Sequence, residues 1–352
     1  MSFRLSFRTW VTIITTALLV LVIVFAWPEI HKAYNLLGSV NLWILSLLIP
    51  VQLISYFATG GMIFSYLRSK GNLRDTTRWQ MTRMALELNF VNHIIPSGGA
   101  AGFSYLGWVL GRHGVSPGRA TMSQIVRFVL TFISFILIML IAFAALTLDH
   151  KVDRPIVLIC SALVLMMVVA MFLFVFLAGN RARLVRFSAW FTKTSNKFIT
   201  KITRGKKRNV VKLAAIENFF LEMHEDYIEI RKDSKILRMP FVWSIMNIVM
   251  DVLLVWLAFW SLGYMVNPAI IFIAYGVSSV ASVLSVMPGG AGVYEAIMIA
   301  FLASAGVPPG MAIAGTLLAR VVLVLGTILF GYVFYQLTIM KYGKAPVSKS
   351  DI

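Results

Sequence analysis

The sequence predicts an all-α polytopic membrane protein made of inverted-topology repeats, each a span, a broken re-entrant hairpin and a second span. Three observations carry this. Only 13% of the 352 residues are charged and 59% are hydrophobic, whereas a soluble domain carries about 25% charged residues. Six stretches, near 10–27, 40–66, 119–147, 155–178, 239–262 and 310–339, are apolar over the roughly 20 residues that a membrane helix needs. Two more apolar stretches, 81–111 and 268–306, are interrupted at "IPSGGAAG" (Ile95–Gly102) and "MPGGAG" (Met287–Gly292).

Taken in order, Arg4 and Arg8 precede the first span. It lacks a small-x-small cleavage site and reads as a retained helix. The second span ends in Arg68, Lys70, Arg74, Arg78 and Arg83, and the first broken stretch is followed by Arg112 and Arg119. Segment 180–238 holds 15 Lys/Arg against 6 Asp/Glu, and the tail adds Lys341, Lys344 and Lys349. Basic residues collect in cytoplasmic loops, and these regions share one side if each broken stretch returns to the side it entered. The loops then placed outside, 263–267 and 305–309, carry no charge. About six full spans plus two hairpins result, with both termini cytoplasmic. Two complete crossings per broken stretch give the same sidedness, so charge leaves that choice open.

Within 180–238, Leu213, Ile216, Phe220, Met223, Tyr227 and Ile230 recur at steps of three and four. They predict amphipathic helices at the inner membrane surface, basic face toward anionic headgroups. The alternative is a charge belt that sets topology. Nucleic acid is an unsuitable partner for basic runs placed beside spans. The single cysteine, Cys160, excludes an intrachain disulfide or a thiolate metal site. The chain is expected to be one integral membrane domain, 1–352, with no room for a soluble catalytic domain.

A shift of 192 residues places Pro96 on Pro288, Gly98 on Gly290 and Leu110 on Leu302, and "GVSPGRA" (Gly114–Ala120) on "GVPPGMA" (Gly306–Ala312). Of the 25 positions from 96 to 120, 8 are identical. The repeats are 40–147 and 239–339. Three spans separate the two hairpins, an odd number, so the hairpins enter from opposite faces. In transporters such repeats place the substrate near the midplane, at discontinuous helices whose N-termini face it.

This suggests why a proline and three glycines stand in a membrane segment. Pro288 is expected to end one half-helix, Gly289, Gly290 and Gly292 permit close approach and φ > 0, and a second half-helix starts near Ala291. Its N–H groups and dipole suit an anion. Pro96, Ser97, Gly98 and Gly99 form the corresponding break. Arg127 and Arg320 lie inside corresponding spans. They can neutralise a lipid phosphate, or pair internally with Glu87, Asp251 or Glu295. Glu295 can also serve as a dipole partner on the first turn of its half-helix. Asp251 shares a helix face with Asn247, and His93 one with Asn89 and Asn92. No H-E-x-x-H, Walker A loop or nucleophile elbow occurs, so no catalytic residue, metal or cofactor is expected.

"MPGGAGVYEA" (Met287–Ala296) with Arg320 downstream, and "NHIIPSGGAAG" (Asn92–Gly102) upstream, resemble the lysylphosphatidylglycerol synthetase transmembrane family, also called the flippase-like domain family. The resemblance runs from the second span to the last and implies lipid handling. In two-part members, a soluble acyltransferase domain makes aminoacyl-phosphatidylglycerol and the membrane domain moves it to the outer leaflet. With its end at Ile352, this chain is expected to lack that domain. The expectation is a flippase-like transporter of a polar or anionic lipid, such as aminoacyl-phosphatidylglycerol or a polyprenyl-linked lipid, in a prokaryotic cytoplasmic (inner) membrane. Its partners would be membrane lipids and a possible separate soluble lipid-modifying enzyme. The rivals are a phosphatidylglycerol lysyltransferase-type enzyme or its membrane subunit, a secondary transporter of a small anion, and a membrane scaffold.

Overall fold

A computed structural model describes residues 40–95, 100–148, 154–202, 213–285 and 288–342, with five single positions earlier in the chain. Of the predicted first span, only Ala17, Val20, Val24 and Trp27 are among them, all helical. Pro96, Ser97, Gly98 and Gly99, the first predicted break, lie outside the described residues.

The regular structure of the described residues is entirely helical. Asn41 caps α1 (Leu42–Ser46) by accepting from Trp43 N, and α2 (Leu48–Ser69) continues the same unit. A reciprocal Thr77–Gln80 capping box opens α3 (Arg78–Ile94), and α4 (Ala100–Gly111) follows. Next come α5 (Pro117–Leu148), α6 (Arg154–Ala178), α7 (Arg181–Ile202) and α8 (Leu213–Lys232). A 3₁₀ turn, Ser234–Leu237, leads into α9 (Arg238–Ser261). The chain finishes with α10 (Pro268–Leu284), the 3₁₀ turn Pro288–Gly290, α11 (Val293–Ser304) and α12 (Pro309–Tyr342).

Five helical units are long and apolar enough to cross a bilayer: Leu42–Ser69, Pro117–Ala145, Val157–Ala178, Ser234–Ser261 and Pro309–Tyr342. They coincide with five of the six predicted spans. The broken stretches give shorter helices, α3 and α10 of 17 residues and α4 and α11 of 12. At 1.5 Å per residue these reach about 26 and 18 Å, short of a hydrocarbon core of about 30 Å. Two boundaries need correction. Pro288 does not end α10; that helix stops at Leu284, with Ser285 extended at φ −78°, ψ 141°. The second half-helix begins at Val293, not near Ala291, because Gly292 at φ 82° turns the chain into it.

Backbone and side-chain contacts fix how the helices run. Asn41 N donates to Ser261 O (2.8 Å), Ser55 Oγ to Asp251 Oδ1 (2.5 Å), and Asn247 Nδ2 to Thr59 Oγ1 (3.2 Å). Phe57 meets the Trp243 ring edge-on at 5.2 Å. From Asn41–Ser261 through Ser55–Asp251 to Thr59–Asn247 the second number falls as the first rises, so α2 and α9 are antiparallel. By contrast Gln52 Nε2 donates to Leu323 O (2.8 Å) and Tyr56 bonds Thr327, so α2 and α12 are parallel. α3 runs against α12, from Arg83–Thr338 (2.7 Å) to Phe90–Tyr332 (5.6 Å between rings).

Both ends of the α3–α4 pair therefore lie together. Trp79 packs on Phe334, the His113 ring lies 6.0 Å from that of Tyr342, and Arg119 Nη1 donates to Asn72 Oδ1 (3.1 Å). The α10–α11 pair starts and finishes at the other end, where α9 stops and Phe259 packs against Gly315 near the start of α12. α4 and α11 end alike. Gly114 and Gly306 take φ 76° and 87°, and the next residue's N–H returns to Leu110 O (3.1 Å) or Leu302 O (3.0 Å), a Schellman-type stop that only the glycine backbone adopts without strain.

At the end holding Asn72, α8 is fixed by charge. Asp226, 2% exposed, accepts from Tyr66 OH (2.9 Å) and lies 3.6 Å from both Lys70 Nζ and Arg119 Nε. Glu229 pairs with Lys70 (2.6 Å), and Glu222 accepts Gly118 N (3.0 Å) at the start of α5. α7 leaves Trp190 and Phe191 exposed. Leu158, Leu165, Phe172 and Leu173 of α6 are exposed too, as an apolar helix bathed by lipid requires.

Candidate functional site

The end of α3 meets the Pro288–Gly290 turn. A Cβ on Gly289 would lie 3.0 Å from His93 Cδ2 and 3.4 Å from Arg320 Nη2. Gly289 and Gly290 take φ 56° and 69°, a region an L side chain enters only with strain. Their backbone presents carbonyls rather than side chains. Arg320 Nη2 and Ser282 Oγ (3.3 Å) both donate to Gly289 O.

Arg320 projects from α12 into this junction. Its Nε stands 2.7 Å from Glu295 Oε1, and its guanidinium carbon 5.1 Å from the Tyr294 ring centroid. Glu295 turns its other oxygen back to accept Gly292 N at 2.6 Å. The two readings of Glu295, helix-start partner and counter-ion, thus hold at once. The anion at the N-terminus of α11 is the protein's own carboxylate. Arg320 is 8% and Glu295 5% exposed. A lone charge at mid-membrane costs about 2.5–3.5 kcal/mol on insertion scales, and pairing removes the net charge.

Of the three carboxylates weighed as partners, only Glu295 takes Arg320. Glu87, 1% exposed, is satisfied by Arg83 Nε (2.9 Å), Thr338 Oγ1 (2.7 Å) and Tyr105 OH (2.8 Å). Asp251 is half-buried and accepts from Ser55 and Tyr275 (2.8 Å). His93 reaches the junction with its ring, and its Nδ1 lies 2.8 Å from Asn89 O. Arg127 is not brought there. It lies on α5, its guanidinium carbon 4.4 Å from the Phe128 ring centroid, its Nε buried without a hydrogen-bond partner.

Sequence reading missed Tyr275, Ser55, Tyr294 and the Gly289 carbonyl. Tyr294 adjoins Glu295 and could have been picked up. Ser55 and Tyr275 reach Asp251 from 196 and 24 residues away, and no spacing announces that. Among the described residues no group of three His, Cys, Asp or Glu could hold a metal.

A helical bundle with two interrupted helix pairs, apolar on its outside and holding an ion pair inside, defines an integral membrane protein. A family model described as the lysylphosphatidylglycerol synthase TM region matches residues 12–331, and the chain belongs to that family. It is similar to UPF0104 membrane protein MJ1595 of Methanocaldococcus jannaschii, 27% identical over 69% of this chain and 70% of that one. It also resembles a UPF0104 membrane protein of Methanothermobacter thermautotrophicus, 22% identical over 70% of this chain and 76% of that one.

Proposed function

We propose that this protein moves a polar lipid headgroup between leaflets. The observation carrying the reading is the enclosed Arg320–Glu295 pair at the junction of a broken helix from one end of the bundle with a broken helix from the other. A headgroup phosphate would exchange with the Glu295 carboxylate for Arg320 and the Gly292 N–H, while its tails stay in the bilayer. Rocking of two inverted repeats, 40–147 and 239–339, would expose the junction to each face in turn.

Support for the repeats comes from their register. Asn247 Nδ2 donates to Ser55 Oγ at 2.9 Å across 192 residues, the same shift that aligns the halves. A position touching its own counterpart sits on a twofold axis. Exchanging the halves converts the Asn247–Thr59 bond into the Ser55–Asp251 bond, and both are made. With equivalent helices antiparallel, that axis lies in the membrane plane. In this reading each helix pair is re-entrant, as the 17- and 12-residue lengths of its helices favour, the two termini are cytoplasmic, and the chain is one membrane domain in a prokaryotic cytoplasmic membrane.

Proteoliposomes carrying fluorescent phosphatidylglycerol, aminoacylated phosphatidylglycerol or a polyprenyl phosphate lipid test this. The protein is expected to speed movement between leaflets, and Arg320→Ala to slow it. No movement above protein-free vesicles would reject transport. In that case a modified lipid formed on adding aminoacyl-tRNA favours the enzyme reading, and uptake of a small anion favours the secondary transporter.

A further inference from the structure

The two halves are unequal in charge. Arg320 has Glu295, whereas the residue one shift of 192 before Glu295 is Phe103. Arg127 pairs with no carboxylate among the described residues. The break of the same repeat, Pro96–Gly99, has no ionisable side chain in its sequence. Arg127 is half-buried with its Nε enclosed, and a guanidinium so placed without a counter-charge is costly.

Two buried acceptors facing the first turn of α4, which packs on the Arg127 segment, also lack partners. Gln124, one turn earlier on α5 and 0% exposed, donates through Nε2 to Phe103 O (3.3 Å) but leaves Oε1 unpaired. Asn92 Oδ1 is likewise buried and unpaired, aimed at the first turn of α4, where a Cβ on Gly102 would lie 2.1 Å from it. Phe103 stacks on Phe128 at 5.6 Å, holding that turn against the Arg127 segment. Ala100 and Ser104, on the outer face of α4, are exposed.

We infer that Arg127, Gln124 and Asn92 form the loading site for a phosphodiester headgroup that also carries hydroxyl or ammonium donors. Arg127 takes the phosphate oxygens, and the two amide oxygens take the donors. A bare phosphate monoester lacks the donors, and a trimethylammonium group has no N–H. The second half carries its own anion, Glu295, and accepts a headgroup only once that carboxylate is displaced. This rests on the transport reading for its purpose but not for its test.

The test is binding of dihexanoyl lipids to the purified full chain in detergent, with elution volume as the folding check. Phosphatidylglycerol and phosphatidylethanolamine are expected to bind about fivefold tighter than phosphatidylcholine or phosphatidic acid. Arg127→Gln is expected to weaken them about tenfold, and Arg127→Lys to restore part of the loss. Asn92→Leu with Gln124→Leu should abolish the preference over phosphatidylcholine. Glu295→Gln, which uncovers Arg320, should raise the phosphatidylglycerol bound from one molecule to two. Equal binding of phosphatidylcholine by the unaltered chain, or unchanged binding by Arg127→Gln, overturns the proposal. Tail-free glycerophosphoglycerol binding as tightly as the lipid overturns its assignment to a lipid. Binding as described without lipid movement rejects transport alone. Movement that survives Arg127→Gln, with binding unchanged, rejects this site alone.

Discussion

Arg320 and Glu295 stand 2.7 Å apart, and Glu295 holds Gly292 N with its other oxygen. Removing one partner of a buried pair costs about 3–5 kcal/mol, while replacing both by apolar groups costs far less. Arg320→Met is therefore expected to lower thermal stability in detergent, and Glu295→Gln to lower it similarly. The double variant should melt nearer to the unaltered protein than either single one. Additive losses would mean that the pair is not coupled.

The register of α2 on α9 can be read by cross-linking. In a Cys160→Ala background, Ser55→Cys with Asn247→Cys should oxidise readily in membranes, because a disulfide needs Cα atoms within about 7 Å. Thr59→Cys with Asn247→Cys should do so as well. Thr59→Cys with Asp251→Cys should link poorly, since antiparallel helices carry those positions apart. Efficient linkage of that last pair would indicate parallel packing.

Gly290 and Gly292 separate two effects of a side chain at the break. Both have positive φ, but a Cβ on Gly290 would fall 1.7 Å from Ser282 Oγ, whereas one on Gly292 meets nothing within 4 Å. Gly292→Ala meets no clash, but its φ 82°, ψ −45° is rarely open to an L side chain and should cost backbone strain of about 1–3 kcal/mol. Gly290→Ala should cost more and abolish lipid movement, since the turn must shift away from Arg320. Denaturation midpoints and the proteoliposome assay compare the two, and equal effects would contradict the contact.

Single cysteines in the same background report sidedness through a membrane-impermeant maleimide. Asn72→Cys and His113→Cys should label from one face, and Gly263→Cys and Gly306→Cys from the other. If the members of either pair label from opposite faces, that helix pair crosses the membrane instead of returning.

Much of the fold was legible because hydropathy and Pro/Gly interruptions are local signals. The limits of α5 and α12 and the place of the second break follow from runs of a few residues. Loop charge placed Asn72 and His113 on one side but could not choose between returning and crossing. The site was legible only in its parts list. Arg320, Glu295, Gly289 and His93 come from three separate segments, and their meeting depends on how α3 packs along α12. The choice of Glu295 over Glu87 turned on Arg83, Thr338 and Tyr105 already holding the latter. Those bonds reach across as many as 251 residues, beyond any spacing rule.

In the proposed repeat, the bond between Ser55 and Asn247 joins corresponding positions, and this bears on ancestry. Two copies of a single repeat, inserted in opposite orientations, could build the same interface with each other. Duplication and fusion would then free each copy to diverge. One kept an arginine facing its own glutamate, and the other an arginine with none. The basic segment between them would hold the joined copies in their opposed orientations. On this account, residues 1–179 and 180–352 made as separate polypeptides should insert oppositely and assemble into one particle, the older dimer rebuilt from its descendants.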